Sequence, residues 1–136
     1  MKIDSRGAIE YFEKRFHGCD DGVLRRISVI YRSGSSRPGL IELVLSTKDT
    51  EKVEGDGFVN LKLSFLSVSE FQLREGNATY QILSEGMKVA LLEGRVFATF
   101  NPYDYKESPA SFRTSEFYIV AKEVAWDILP YRDYEG

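Results

Sequence analysis

The chain has one cysteine, Cys19, and one histidine, His17, among its 136 residues. A single thiol rules out an internal disulfide, which suits a reducing compartment. A single imidazole leaves no multi-histidine zinc site unless a second chain contributes. Prolines number four, and there is no long apolar run. The opening stretch, MKIDSRGAIEYFEKRF, reads as neither signal peptide nor membrane span. No Gly-rich phosphate loop occurs: GSSRPG lacks the lysine such a loop needs, and GxGxxG is missing. The GDG at 55–57 lacks the spacing of a calcium-binding loop.

What is plentiful is aromatic and alternating. Nine Phe and eight Tyr favour strands. In the stretch 58–74, FVNLKLSFLSVSEFQLR, Val59, Leu61, Leu63 and Phe65 fall at alternate positions, with Asn60, Lys62 and Ser64 between them. That is the period of a strand with one buried and one wet face. The apolar side flips at Leu66 and Val68 and flips back at Phe71 and Leu73. A straight strand would expose one set, so the pattern predicts a bend or bulge near 66–69 and a second strand beyond it.

Before this stretch, Asp4 or Ser5 is placed to cap a helix running to His17, with Ile9, Phe12 and Phe16 on one face. Gly18 is suited to end it in the left-handed region. Strands are expected over 22–31 and 40–46, paired across the flexible SGSSRPG linker. Beyond the central stretch, Glu75-Gly76-Asn77 signals a turn; 79–83 reads as a short strand, with two helical turns over 77–86 as the alternative. A tight hairpin is expected at Glu93-Gly94, a loop over 101–110, and a strand over 112–122. The fold expected is mainly β: an antiparallel β-sandwich or open barrel of about eight strands with one N-terminal α-helix. One domain is expected over 1–136, with a helix over 4–17, strands over 22–122 and a C-terminal tail over 123–136.

The net charge of −3 hides an asymmetry: residues 1–37 hold eight Lys/Arg against five Asp/Glu, and the remainder holds ten against sixteen. The modest total argues against a dedicated nucleic-acid binder. Arg25, Arg26, Arg32 and Arg37 form a local basic region with two readings, an RNA or phosphate surface and a solvated sheet edge; the second is favoured, since charged edges discourage strand addition. His17, Cys19, Asp20 and Asp21 crowd a turn too short for all four to converge on one ion, so no metal site is assigned. No catalytic residue and no cofactor is assigned either. The residues singled out for partner binding are Tyr103, Asp104 and Tyr105 in a Pro-bounded loop, where tyrosine gives large contact area at low entropic cost; the equal alternative is that one tyrosine folds back onto the sandwich. The acidic loop 47–57 adds Asp49, Glu51, Glu54 and Asp56, which would steer a basic partner.

The run FHGCDDGVLRRISV at 16–29, the stretch VNLKLSFLSVSEFQL at 59–73 and the later Trp126 resemble a group of small bacterial β proteins. That group includes immunity proteins of bacterial polymorphic toxin systems. The resemblance implies a non-enzymatic protein-binding module in the bacterial cytoplasm, with a toxin domain as its partner. Two other readings stand beside it. One is a small-molecule binder or enzyme using the sandwich or barrel interior. The other is a homodimer formed through sheet edges or the helix face bearing Tyr11.

The alternation makes a direct prediction. Phe65→Ala should cost about 3–5 kcal/mol through lost transfer energy and a cavity. Lys62→Ala, on the opposite face, should cost under roughly 0.5 kcal/mol. Denaturant melts of the two variants check this, and equal costs would reverse the assignment of faces.

Overall fold

The computed structural model describes residues 1–52, 54–74, 82–102 and 105–130. Helix α1, Arg6–Phe16, is capped by Ser5, whose hydroxyl accepts from the Ala8 amide at 3.1 Å. The strands are β1 (Gly22–Tyr31), β2 (Pro38–Lys48), β3 (Phe58–Leu73), β4 (Ile82–Leu83), β5 (Lys88–Leu92), β6 (Arg95–Thr99) and β7 (Phe117–Leu129), with a short helix α2 (Pro109–Arg113) before the last. Among the described residues the fold is mainly β. One seven-stranded antiparallel sheet in the order β4-β1-β2-β3-β7-β6-β5 curls into a half-barrel, with α1 at its N-terminal end. The open-barrel form of the expectation holds, and there is one sheet rather than the two of a sandwich.

The central stretch is one sixteen-residue strand. Its predicted irregularity is present, with Ser67 in the left-handed region (φ 54°) and a register shift between Val68 and Glu70. These two adjustments keep Leu61, Leu63, Phe65 and Val68 buried against one core, with Phe71 and Leu73 packed on it. Leu66 stays out, 40% exposed. The hairpin at Glu93-Gly94 forms with both residues at positive φ, 53° and 72°, as a two-residue turn of matching twist requires.

Two expectations near the C-terminal part are corrected. Phe112 begins no strand. It lies in α2, which Ser108 caps and Pro109 opens, and its ring packs 5.6 Å from that of Phe97. The tail expected from 123 is strand as far as Leu129, because Val124 and Trp126 continue the inward alternation and pair with Phe65 and Leu63. The turn at 75–77, most of the strand at 79–83 and the segment 131–136 lie outside the described residues.

The inner face of the sheet carries the main core, and α1 fills it with Ile9, Phe12 and Phe16. The Phe16 ring meets Trp126 edge-on at 5.1 Å. On the outer face of β5, β6 and β7 a smaller cluster joins Ala90, Phe97 and Val120 to Phe112 of α2.

The two edges of the curled sheet approach each other. β4 and β5 are separated by residues 84–87 alone, yet they sit at opposite ends of the strand order. The turn after α1 fits into this seam. The Asp21 amide donates to the Leu83 carbonyl at 2.8 Å, and the Met87 amide donates to the Gly18 carbonyl at 2.7 Å. Reaching both partners takes His17, Gly18, Cys19 and Asp21 into the left-handed region. Gly18 is left-handed as expected, but His17 is the first residue to turn. On the other side of the seam Gly86 (φ 71°) lies so close that a Cβ would fall within hard contact of the Gly18 carbonyl.

Gly86→Ala therefore meets both an unfavourable backbone region and a backbone atom that cannot swing away. It should cost about 2–4 kcal/mol in a chemical melt. Gly94→Ala has the same sign of φ but open space around it, and should cost about 1 kcal/mol. Equal losses would mean that the seam is not tightly packed.

Candidate protein interface

Tyr11 and Arg15 are four residues apart and so share one side of α1. They meet the acidic turn that follows β2. Arg15 donates from Nε and Nη2 to the two carboxylate oxygens of Asp49, each at 3.0 Å, a paired geometry stronger than a single contact. The Tyr11 hydroxyl donates to Glu51 Oε2 at 2.6 Å and accepts from Arg15 Nη1 at 3.2 Å. The Thr50 amide donates to the Arg15 carbonyl at 2.9 Å, which fixes the turn to the last turn of the helix. The guanidinium lies 5.1 Å from the Trp126 ring centre, a cation–π contact.

Asp49 is 3% exposed and Arg15 17%. The Arg15 hydrogen bonds outweigh the cost of burial and hold the Asp49 carboxyl below the usual carboxylate range. The same bonds, against a smaller burial penalty, raise the Arg15 pKa. Asp49 thus serves as a tie between helix and turn. Glu51, Glu54 and Asp56 remain at the surface. Asp56 also orders the turn, since its Oδ1 accepts from the Phe58 amide at 2.9 Å.

The opposite flank of α1 carries the second predicted segment. Tyr103 and Asp104 lie outside the described residues. Tyr105 is half-buried, its ring set edge-on against Phe112 at 5.3 Å, so it is anchored on the outer cluster. Burial pushes its hydroxyl pKa up. Arg6 donates to Glu107 at 3.0 Å. Between helix and loop lies a groove of about 240 Å³ whose polar lining is Arg6, Glu10, Glu13, Lys88, Tyr105 and Glu107. Burial raises the Glu13 pKa, partly offset by Lys88.

Tyr105 and the acidic turn lie along two sides of α1, with Tyr11, 39% exposed, beside the turn. Sequence reasoning missed Arg15, Glu13 and Glu107. The i, i+4 spacing of Tyr11 and Arg15 was a usable signal, but nothing in the sequence marks Asp49 as the partner of Arg15. The Cys19 thiol is buried, which pushes its pKa up to about 12, so it stays protonated and unreactive. Among the described residues no three His, Cys, Asp or Glu side chains are placed to hold a metal ion.

The Asp49 pairing links stability to pH. A carboxyl whose folded pKa is lowered stabilises the fold fully above its unfolded value of about 4 and loses that contribution as pH falls through the folded value. Asp49→Asn should cost about 2–4 kcal/mol at neutral pH. The gap between wild type and variant should narrow as pH falls below about 4. Melts across the acid range check this, and a constant gap would show that the charge contributes nothing. No family model, curated protein or solved structure matches this chain.

Proposed function

We propose that this protein is a non-enzymatic protein-binding module that receives a basic partner on the exposed side of α1 and the turns beside it. The immunity-protein resemblance makes a toxin domain in the bacterial cytoplasm the most concrete partner. The observation that carries the reading is the exposed carboxylates on both flanks of the helix: Glu51, Glu54 and Asp56 on one side, Glu10 and Glu107 on the other. Carboxylates held on ordered turns steer a cationic surface into register, and the neighbouring Tyr11 offers an aromatic contact once it arrives. The Arg15–Asp49 pair supports this by holding one of the turns in place before any partner binds. The reading that places a small molecule in the interior draws no support from the inner face, which Ile9, Phe12 and Phe16 of α1 occupy.

The test takes as its probe a toxin domain from a reading frame immediately upstream of this gene, and a metabolic operon in that place counts against the reading. The double change Glu10→Lys and Glu54→Lys leaves the Arg15–Asp49 pair, the Tyr11–Glu51 bond and the Asp56 turn in place, and should leave the melting temperature within a few degrees of wild type. The association rate at low salt should fall by about tenfold or more, and its salt dependence should flatten, with a smaller change in dissociation. Unchanged association kinetics would place the interface elsewhere.

A further inference from the structure

The acidic turn after β2 has a second neighbour besides α1. Where β3 begins and β7 ends, a hollow of about 340 Å³ is lined by Phe58, Val59, Ile128 and Leu129. The two strands are paired there, Asn60 opposite Leu129 and Leu61 opposite Ile128. Phe58 is 46% exposed and Ile128 37%. Single exposed apolar side chains are ordinary, but two that share one concavity mark a place where something can be buried.

The polar side chains of the hollow already have partners in the chain. Asp49 is held by Arg15, Lys52 Nζ donates to the Phe58 carbonyl at 2.8 Å, and Asn60 Oδ1 accepts from the Ser46 hydroxyl at 2.9 Å. What remains on offer is apolar surface, so the group that fits is apolar. The rim has a sign. Residues 48–58 hold four carboxylates against two lysines. Asp56 accepts from the amide of Phe58 itself at 2.9 Å, and the Glu51 amide donates to Asp49 at 2.9 Å, so the turn that bears these acids also forms the wall of the hollow.

We propose that this hollow receives one large apolar side chain of the basic partner, from a segment that carries lysine or arginine beside it. The inference rests on the protein-binding reading above and gives it an anchor. Carboxylates govern how fast a cationic surface arrives, whereas a buried apolar anchor ringed by polar groups governs how long it stays. The volume is at the low end for small-molecule pockets and leaves room for a single side chain. The Arg15–Asp49 pair holds the wall before binding, so little ordering cost remains. A second copy docked hollow to hollow would set two such acidic turns against each other, and an uncharged small molecule would leave the rim unanswered.

Two measurements test this. In the first, NMR signals of the Ile128 and Leu129 methyl groups are followed in wild type as capped peptides are added to about 5 mM, since one anchored side chain binds only in the millimolar range. Lys-Lys-Trp-Lys-Lys should shift both residues. The same peptide with serine for tryptophan, or with glutamates for the lysines, should not. No shift with the first peptide, or an equal shift with either control, overturns the proposal. In the second, the toxin domain used above is the probe and Phe58→Ala/Ile128→Ala the variant, with a melt to confirm folding. Its dissociation rate should rise at least about tenfold while association stays within about twofold of wild type. Unchanged dissociation, with association slowed by Glu10→Lys/Glu54→Lys, overturns the anchor and leaves the steering face standing. The reverse pattern keeps the anchor and overturns the steering. A wild-type dimer in sedimentation that the double alanine variant disperses gives the hollow to a second copy and overturns the proposal. If the alanine variant unfolds, the peptide titration decides on wild type alone.

Discussion

The architecture depends on how far the sheet curls. Its two edge strands are neighbours in the chain, four residues apart, while five other strands lie between them in the sheet. A flat sheet would hold those edges far apart, since each strand adds nearly 5 Å of width. The short link therefore enforces curvature, and curvature makes an inner face that a single helix can cover. The seam left between the edges takes a left-handed turn whose backbone groups satisfy the Leu83 carbonyl on one side and the Met87 amide on the other.

Given that geometry, α1 has two jobs. Its apolar stripe closes the core through Phe12 and Phe16, with Trp126 from β7 beneath them. Its flanks hold loops: Arg15 and Tyr11 fix the turn after β2, and Arg6 reaches Glu107. Burying an ion pair is not by itself a gain, because desolvation offsets the attraction. What the Arg15–Asp49 pair adds is direction. It determines where the acidic turn points, and packing on the Trp126 face fixes the guanidinium from its other side. The linker between β1 and β2 is organised by backbone instead, with Gly39 making room for the Arg32 stem and the Ser35 hydroxyl accepting from the Arg37 amide.

Much of the fold was legible because it rests on period. Alternation in 58–73 located the central strand and its irregularity, and spacing located the buried stripe of α1. The same alternation in EVAWDIL went unread: Val124, Trp126 and Ile128 are in phase, but flanking charges and the closing polar residues made the segment look like a tail. Phe112 was misplaced because a capping serine and Pro109 initiate a helix that β propensity alone would not suggest. The candidate site was less legible. Solvent-facing acids such as Glu54 can be read from an unpatterned loop. A carboxylate buried by a partner 34 residues away cannot, because the sequence carries no trace of that distance. For the tyrosine loop the sequence leaves interface contact and folding back onto the sheet equally open; Tyr105 packs back on Phe112, and the helix that carries Phe112 is not visible in the strand pattern.

The pairing of β3 with β7 has a consequence for how the chain is made. β1, β2 and β3 form a meander of neighbours and can assemble as they leave the ribosome. β3 then waits for a partner whose first residue comes 44 positions after its own last. During synthesis at about 5–20 residues per second, that gap is several seconds in which the far edge of β3 presents unpaired amides and carbonyls over its full length. The residues on that edge include Lys62 and Glu70. Charged side chains among the polar residues of such a strand disfavour edge-to-edge pairing between copies.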